Sequence, residues 1–180
     1  MRIKKEDTIA VVIDVQCRLF PFISENEKLA SNIVRLIKGL KALEIEIIIT
    51  AQYIKGLGDT IEPIKVALGE FSQLEKMAFS CCGDNNFTSE LKKSGRKNVI
   101  ICGIESHVCV LQTVIDLKEK GYNPVLIEDC VSSRSLNDKK IAVERMRQEG
   151  AVISTYESIL FELLEVSGTD TFKEISKIVK

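Results

Sequence analysis

The chain has no tryptophan, three prolines and a single histidine among 180 residues, and each shortage closes off a class of explanation. One histidine, His107, cannot build a histidine-rich metal centre. The six cysteines contain no C-x-x-C pair, so zinc-site spacing is absent as well, and no metal or other cofactor is expected. Few prolines and no Gly/Ser-rich tract leave no interdomain linker. No apolar run approaches the ~18 residues that span a bilayer, and the opening M-R-I-K-K-E-D has no signal core. Charge of one sign is also missing: 25 basic and 26 acidic residues give a net charge of −1, scattered without a basic stripe or a basic amphipathic face. Nucleic acid and membrane partners are therefore not expected, and a cytoplasmic location is.

What remains suits one buried core. At 45% hydrophobic content, 180 residues are enough for a single domain spanning 1–180 and too few for two ordinary ones. Cys102, Cys109 and Cys130 lie in or beside apolar runs, as thiols do in a reducing compartment.

The pattern alternates strand and helix. Strands are predicted at Thr8 to Val15, Ile45 to Thr50, weakly near Leu74 to Ala78, then at Val99 to Cys102, Val125 to Glu128 and Ala151 to Thr155. Between the first two, Ser24-x-x-Glu27 reads as a capping box for a helix presenting Leu29, Ile33, Leu36, Leu40 and Leu43 on one face. Ala51 to Phe71, with three glycines and Pro63, reads as a long loop holding at most a short helix. Later helices are predicted from Ser106 to Gly121, over Asp138 to Gln148, and around Ile159 to Val166 and Phe172 to Val179. Such alternation implies an α/β, three-layer αβα fold: a mostly parallel, doubly wound, Rossmann-like sheet, with 3-2-1-4-5-6 as the expected strand order. In that order the first and fourth strands meet at the switch point, where ligands bind.

Chemistry-bearing residues fall at those strand ends. Asp14 closes the first apolar strand, where a carboxylate is costly unless it caps a helix, joins an ion pair or acts as a base. After the fourth strand, N-V-I-I-C-G-I-E-S-H-V-C-V (Asn98 to Val110) puts Ser106 at a helix N-cap and Cys109 in the first turn. Free amides and the positive end of the dipole there favour a thiolate and a developing oxyanion. The alternative is a small buried hydrophobe, the usual fate of a free cysteine. Lys76, in L-E-K-M-A-F-S, is by default a solvated charge beside Glu75.

Taken together, D-V-Q at residues 14–16, K-x-x-F-S at 76–80 and G-I-E-S-H-V-C-V at 103–110 resemble the isochorismatase-like cysteine hydrolase superfamily. T-A-Q-Y-I-K-G-L-G (50–58), E-D-C-V-S-S-R-S (128–135) and R-M-R-Q-E-G-A (145–151) resemble its small members of unassigned substrate. The resemblance implies an Asp14, Lys76 and Cys109 triad that hydrolyses a small amide or ester through a thioester. It also implies an oxyanion hole from the Glu105 and Cys109 amides beside a cis Ile104–Glu105 bond. The metal-binding His residues of nicotinamidases have no counterpart in Thr50-Ala51-Gln52-Tyr53, and Cys109 departs from isochorismatases proper, which lack the nucleophile.

Phe20, Gln52, Tyr53 and Phe79 are candidate pocket walls, although packing is the ordinary fate of an aromatic. His107 is expected to be a surface or supporting residue, since adjacent helical side chains point apart, and Asp129 to brace the turn it begins. A homo-oligomer acting on a small-molecule substrate is expected. A catalytically retired scaffold of the same fold is the alternative. A Rossmann-type nucleotide binder is disfavoured because Gly56-Leu57-Gly58 is only a lone G-x-G.

Overall fold

The apolar runs assemble into one sheet. In the computed structural model of the chain, which describes residues 2–180, six strands pair in the order β3-β2-β1-β4-β5-β6, every neighbour parallel. They are β1 (Thr8–Ile13), β2 (Ile47–Gln52), β3 (Gln73–Lys76), β4 (Asn98–Ile104), β5 (Asn123–Ser132) and β6 (Val152–Ser154). Both β1 and β4 are buried at every position, as strands covered on two faces must be.

Successive residues of each strand sort to opposite faces. Ala10 and Val12 pack beneath α1 (Asn26–Ala42), α3 (Glu62–Leu68), α7 (Tyr156–Leu164) and α8 (Asp170–Val179); Ile9, Val11 and Ile13 pack beneath α4 (Asn85–Ser94), α5 (Leu111–Glu119) and α6 (Leu136–Gln148). The three-layer, doubly wound fold and its strand order are those read from the sequence.

Four local expectations fail for identifiable reasons. The stretch expected as a long loop carries two helices, α2 (Ile54–Leu57) and α3. Pro63 lies in the first turn of α3, where its missing N–H is no loss, so it opens a helix and does not break one. The capping box is not formed: Glu25 precedes α1 with φ 54°, while the Ser24 hydroxyl donates to the Arg134 carbonyl at 2.7 Å. Ser106 does not cap either. Glu105 holds the cap position, Ser106–Val110 form a π turn, and the Ser106 hydroxyl is buried without a hydrogen-bond partner. Strand β5 is longer than expected because an irregularity shifts its register, pairing Ile101 with Leu126 but Gly103 with Val131. Asp129 falls inside it and accepts from the Tyr156 amide at 2.9 Å, bracing the start of α7.

Candidate functional site

The carboxyl ends of β1, β2, β3 and β4 converge on one buried polar cluster. Asp14 follows the last residue of β1 in the left-handed region, φ 52°, which an aspartate tolerates better than most residues and which turns its side chain out of the strand's alternation. Its amide donates to Thr50 O at 3.2 Å and its carbonyl accepts from Gln16 N at 2.8 Å. Lys76 ends β3. Its ammonium donates to Asp14 Oδ2 at 2.7 Å, and both side chains are 1% exposed. The lysine read as a solvated charge by default is thus a buried cation, sustained because every proton it carries has an acceptor: Asp14, Gln52 Oε1 at 2.8 Å, Phe79 O at 2.9 Å and Ala78 O at 3.1 Å.

Cys109 lies in the π turn after β4, 6% exposed, in the core layer beneath α4, α5 and α6. Thr113 Oγ1 donates to its carbonyl at 2.7 Å and accepts from the Cys81 amide at 2.9 Å. Its thiol is pushed up, first by burial and then by the Asp14 carboxylate, against a smaller opposing pull from Lys76. This corrects the expectation that a helix N-terminus lowers this thiol: burial outweighs the helix position and favours the protonated form. The Ile104–Glu105 bond is cis. Val108 and Val110 amides both donate to the Glu105 carbonyl, at 3.1 and 3.2 Å. The Glu105 carboxylate receives Arg134 Nε at 2.6 Å, and His107 Nδ1 lies 2.9 Å from Ser133 Oγ, so the turn is bolted to the loop after β5.

The remaining candidates divide. Gln52 presents no free amide: Oε1 takes Lys76, Nε2 donates to Met77 O at 2.7 Å, and its backbone exchanges two bonds with the Gln16 side chain, at 2.8 and 2.9 Å. It holds the cation in place, and neither end of its side-chain amide is left free. Phe20 is partly buried against the α1 side of the core. Tyr53 and Phe79 are exposed, at 43% and 55%, on segments flanking Lys76. A surface groove of about 820 Å³ lies elsewhere, between α6 and β6, and touches none of these residues. Thr50 was not singled out in the sequence, yet its hydroxyl donates to Asp14 Oδ1 at 2.8 Å. The available signal was its position two residues before Gln52, on the same strand face. Among the described residues no group of three or more His, Cys, Asp or Glu is placed to hold a metal ion, and no helix is long and apolar enough to cross a membrane.

Buried thiols carry a pH consequence. Burial pushes Cys81 up to about 11 and Cys102 up to about 12, and raises Cys109 and Cys130 as well. Below the unfolded thiol value of about 8.5 both states keep these protons; above it only the unfolded chain loses them. Stability is therefore fully present below that value and is lost as pH rises toward the folded values. In reducing buffer the melting temperature is expected to fall continuously from pH 8.5 to 10.5. A flat curve over that interval would refute the assignment.

Comparison with known proteins agrees over almost the whole chain. The family described as "Isochorismatase domain" matches residues 8–158. The Dictyostelium discoideum "Isochorismatase family protein 1B" is 37% identical over 99% of this chain and 89% of its own length. The solved structure titled "MAR1 Ribonuclease from Caenorhabditis elegans" is 38% identical, superposes with a TM-score of 0.93 and covers 99% of this chain and 92% of that one. The YcaC gene product of Escherichia coli, described as an octameric hydrolase of unknown specificity, superposes with a TM-score of 0.92 at 21% identity, covering 99% and 89%.

Proposed function

The chain belongs to the isochorismatase family, and from that premise we propose that it is a cysteine hydrolase of a small amide or related carbonyl compound, with Asp14, Lys76 and Cys109 as its triad. The observation that carries this reading is a buried carboxylate held by a buried ammonium at 2.7 Å and set beside a thiol whose proton it disfavours losing to water. A solvated ion pair would be worth little; a fully buried one is expensive and is kept where its field is used.

Asp14 takes the Cys109 proton as sulfur attacks the carbonyl carbon, so charge is not separated ahead of bond formation. The oxyanion is received by the Glu105 and Cys109 amides. Collapse breaks the C–N bond while Asp14 returns its proton to the leaving nitrogen, leaving a thioester. Water, deprotonated by Asp14, then adds to the thioester; the acid departs and sulfur regains the proton. Lys76 holds the Asp14 carboxylate in place between steps. Tyr53 and Phe79 are exposed aromatic groups available to the substrate, and the octameric YcaC neighbour supports self-association.

Turnover of a panel of small amides and esters, with Cys109→Ala as the blank, tests the reading. RNA belongs in the panel because a 38% identical structure bears a ribonuclease title. A net charge of −1 with no basic stripe does not favour it. Turnover that survives Cys109→Ala would overturn Cys109 as the nucleophile, and no turnover of any compound by the wild type would leave the scaffold alternative ahead. Turnover is also expected to survive EDTA unchanged. A loss restored by Zn²⁺ or Mn²⁺ would show that metal chemistry had been overlooked.

A further inference from the structure

Strand β2 lies between the strand that delivers the base and the strand that delivers the cation, and two of its side chains meet them. Thr50 pairs in register with Ile13, the residue before Asp14; Gln52 pairs directly with Lys76. Being two apart, they share one face of the strand. Thr50 Oγ1 donates to Asp14 Oδ1 at 2.8 Å while Lys76 donates to Oδ2 at 2.7 Å, so each carboxylate oxygen has its own donor. Gln52 Oε1 accepts from Lys76 at 2.8 Å, and its amide cannot flip because Nε2 is bonded to Met77 O at 2.7 Å. Both residues are buried, Thr50 at 1% exposure and Gln52 at 8%. A valine at position 50 would fill almost the same space without a hydroxyl to desolvate, so packing alone does not account for threonine there.

We propose that Thr50 and Gln52 are positioning residues: Thr50 fixes the plane of the Asp14 carboxylate and sets the pH from which it works as a base, while Gln52 fixes Lys76 against it. The inference rests on the hydrolase reading above. A hydrogen bond to an ionised carboxylate favours the charged form, so removing it raises the pH at which the base becomes available. The effect needs no known substrate to be read, because Asp14 also governs proton removal when Cys109 is alkylated.

The experiment is the rate of Cys109 modification by iodoacetamide from pH 4.5 to 8.5, mapped by mass spectrometry in the full chain, for wild type, Thr50→Val, Thr50→Ser, Gln52→Met and Asp14→Asn. The acid limb of the profile is expected to move up by about one pH unit in Thr50→Val. Thr50→Ser should restore it. Gln52→Met should move it in the same direction but less, since Lys76 keeps the Ala78 and Phe79 carbonyls. Should Thr50→Val melt below the assay temperature, Thr50→Ala carries the same test. An unmoved acid limb in Thr50→Val, with that limb erased in Asp14→Asn, overturns the role of Thr50 and leaves the hydrolase reading standing. A limb that persists in Asp14→Asn overturns both, because there is then no base to position.

Discussion

Asp14→Asn is expected to slow the alkylation of Cys109 and to cut turnover by about two to four orders of magnitude, the range for losing an acid–base group. The sign is what gives the measurement its force. As a bystander, the Asp14 carboxylate only pushes the Cys109 thiol up. Removing its charge, with the Lys76 ammonium left in place, would then ease ionisation and quicken alkylation at pH 7 to 8. As a base, it is the proton's destination, and its loss leaves the thiol intact and slow. Electrostatics and catalysis thus predict opposite changes from one substitution. The variant is suited to the comparison because asparagine keeps the shape of the side chain and Lys76 retains its Gln52, Ala78 and Phe79 acceptors. Faster alkylation in Asp14→Asn would sink the base assignment, whatever became of turnover.

The parts of this arrangement that were legible in the sequence are those where a residue type conflicts with its surroundings. A carboxylate ending T-I-A-V-V-I-D and a cysteine just past an apolar strand and a glycine are such conflicts, and the periodicity of the strands places both at the switch point. Lys76 was legible only through its resemblance to a known motif, since nothing local distinguishes it from a surface lysine. The direction in which the Cys109 thiol is pushed is misread from the sequence because helix position can be counted along a chain and desolvation cannot; burial is the largest influence raising it. Tertiary hydrogen bonds were invisible for the same reason. Ser24 abandons a capping box for a carbonyl 110 residues away, and Gln52, read as a pocket wall, spends both ends of its amide on the cation and its neighbour. Thr50 looks like one more β-branched strand residue until Asp14 is known to turn back toward it.

Gly103 joins fold and site more tightly than any catalytic residue does, and Gly103→Ala is expected to be the most damaging conservative change in the sheet. Its φ is +124°, and a Cβ built there would stand 2.1 Å from the carbonyl oxygen of Ile13 and 2.6 Å from its nitrogen. The obstacle is backbone in a central strand, so no side-chain rotation relieves it. Relief requires β1 and β4 to part between Ile13 and Gly103, immediately before Asp14 on one strand and Ile104–Glu105 on the other. A cost of about 4 kcal/mol or more is expected, lowering the melting temperature by about 10 °C in a chain of this length. Gly95→Ala is the control: φ there is +68° with nothing within 4 Å of the added carbon, so only the left-handed penalty of about 1 kcal/mol applies. Melting of the two variants within 2 °C of each other would show that the close approach is not what requires glycine. If the strands do part, Cys109 in the molecules that remain folded should also lose its Asp14-dependent alkylation, because the base and the turn carrying the nucleophile are set by the same strand pairing.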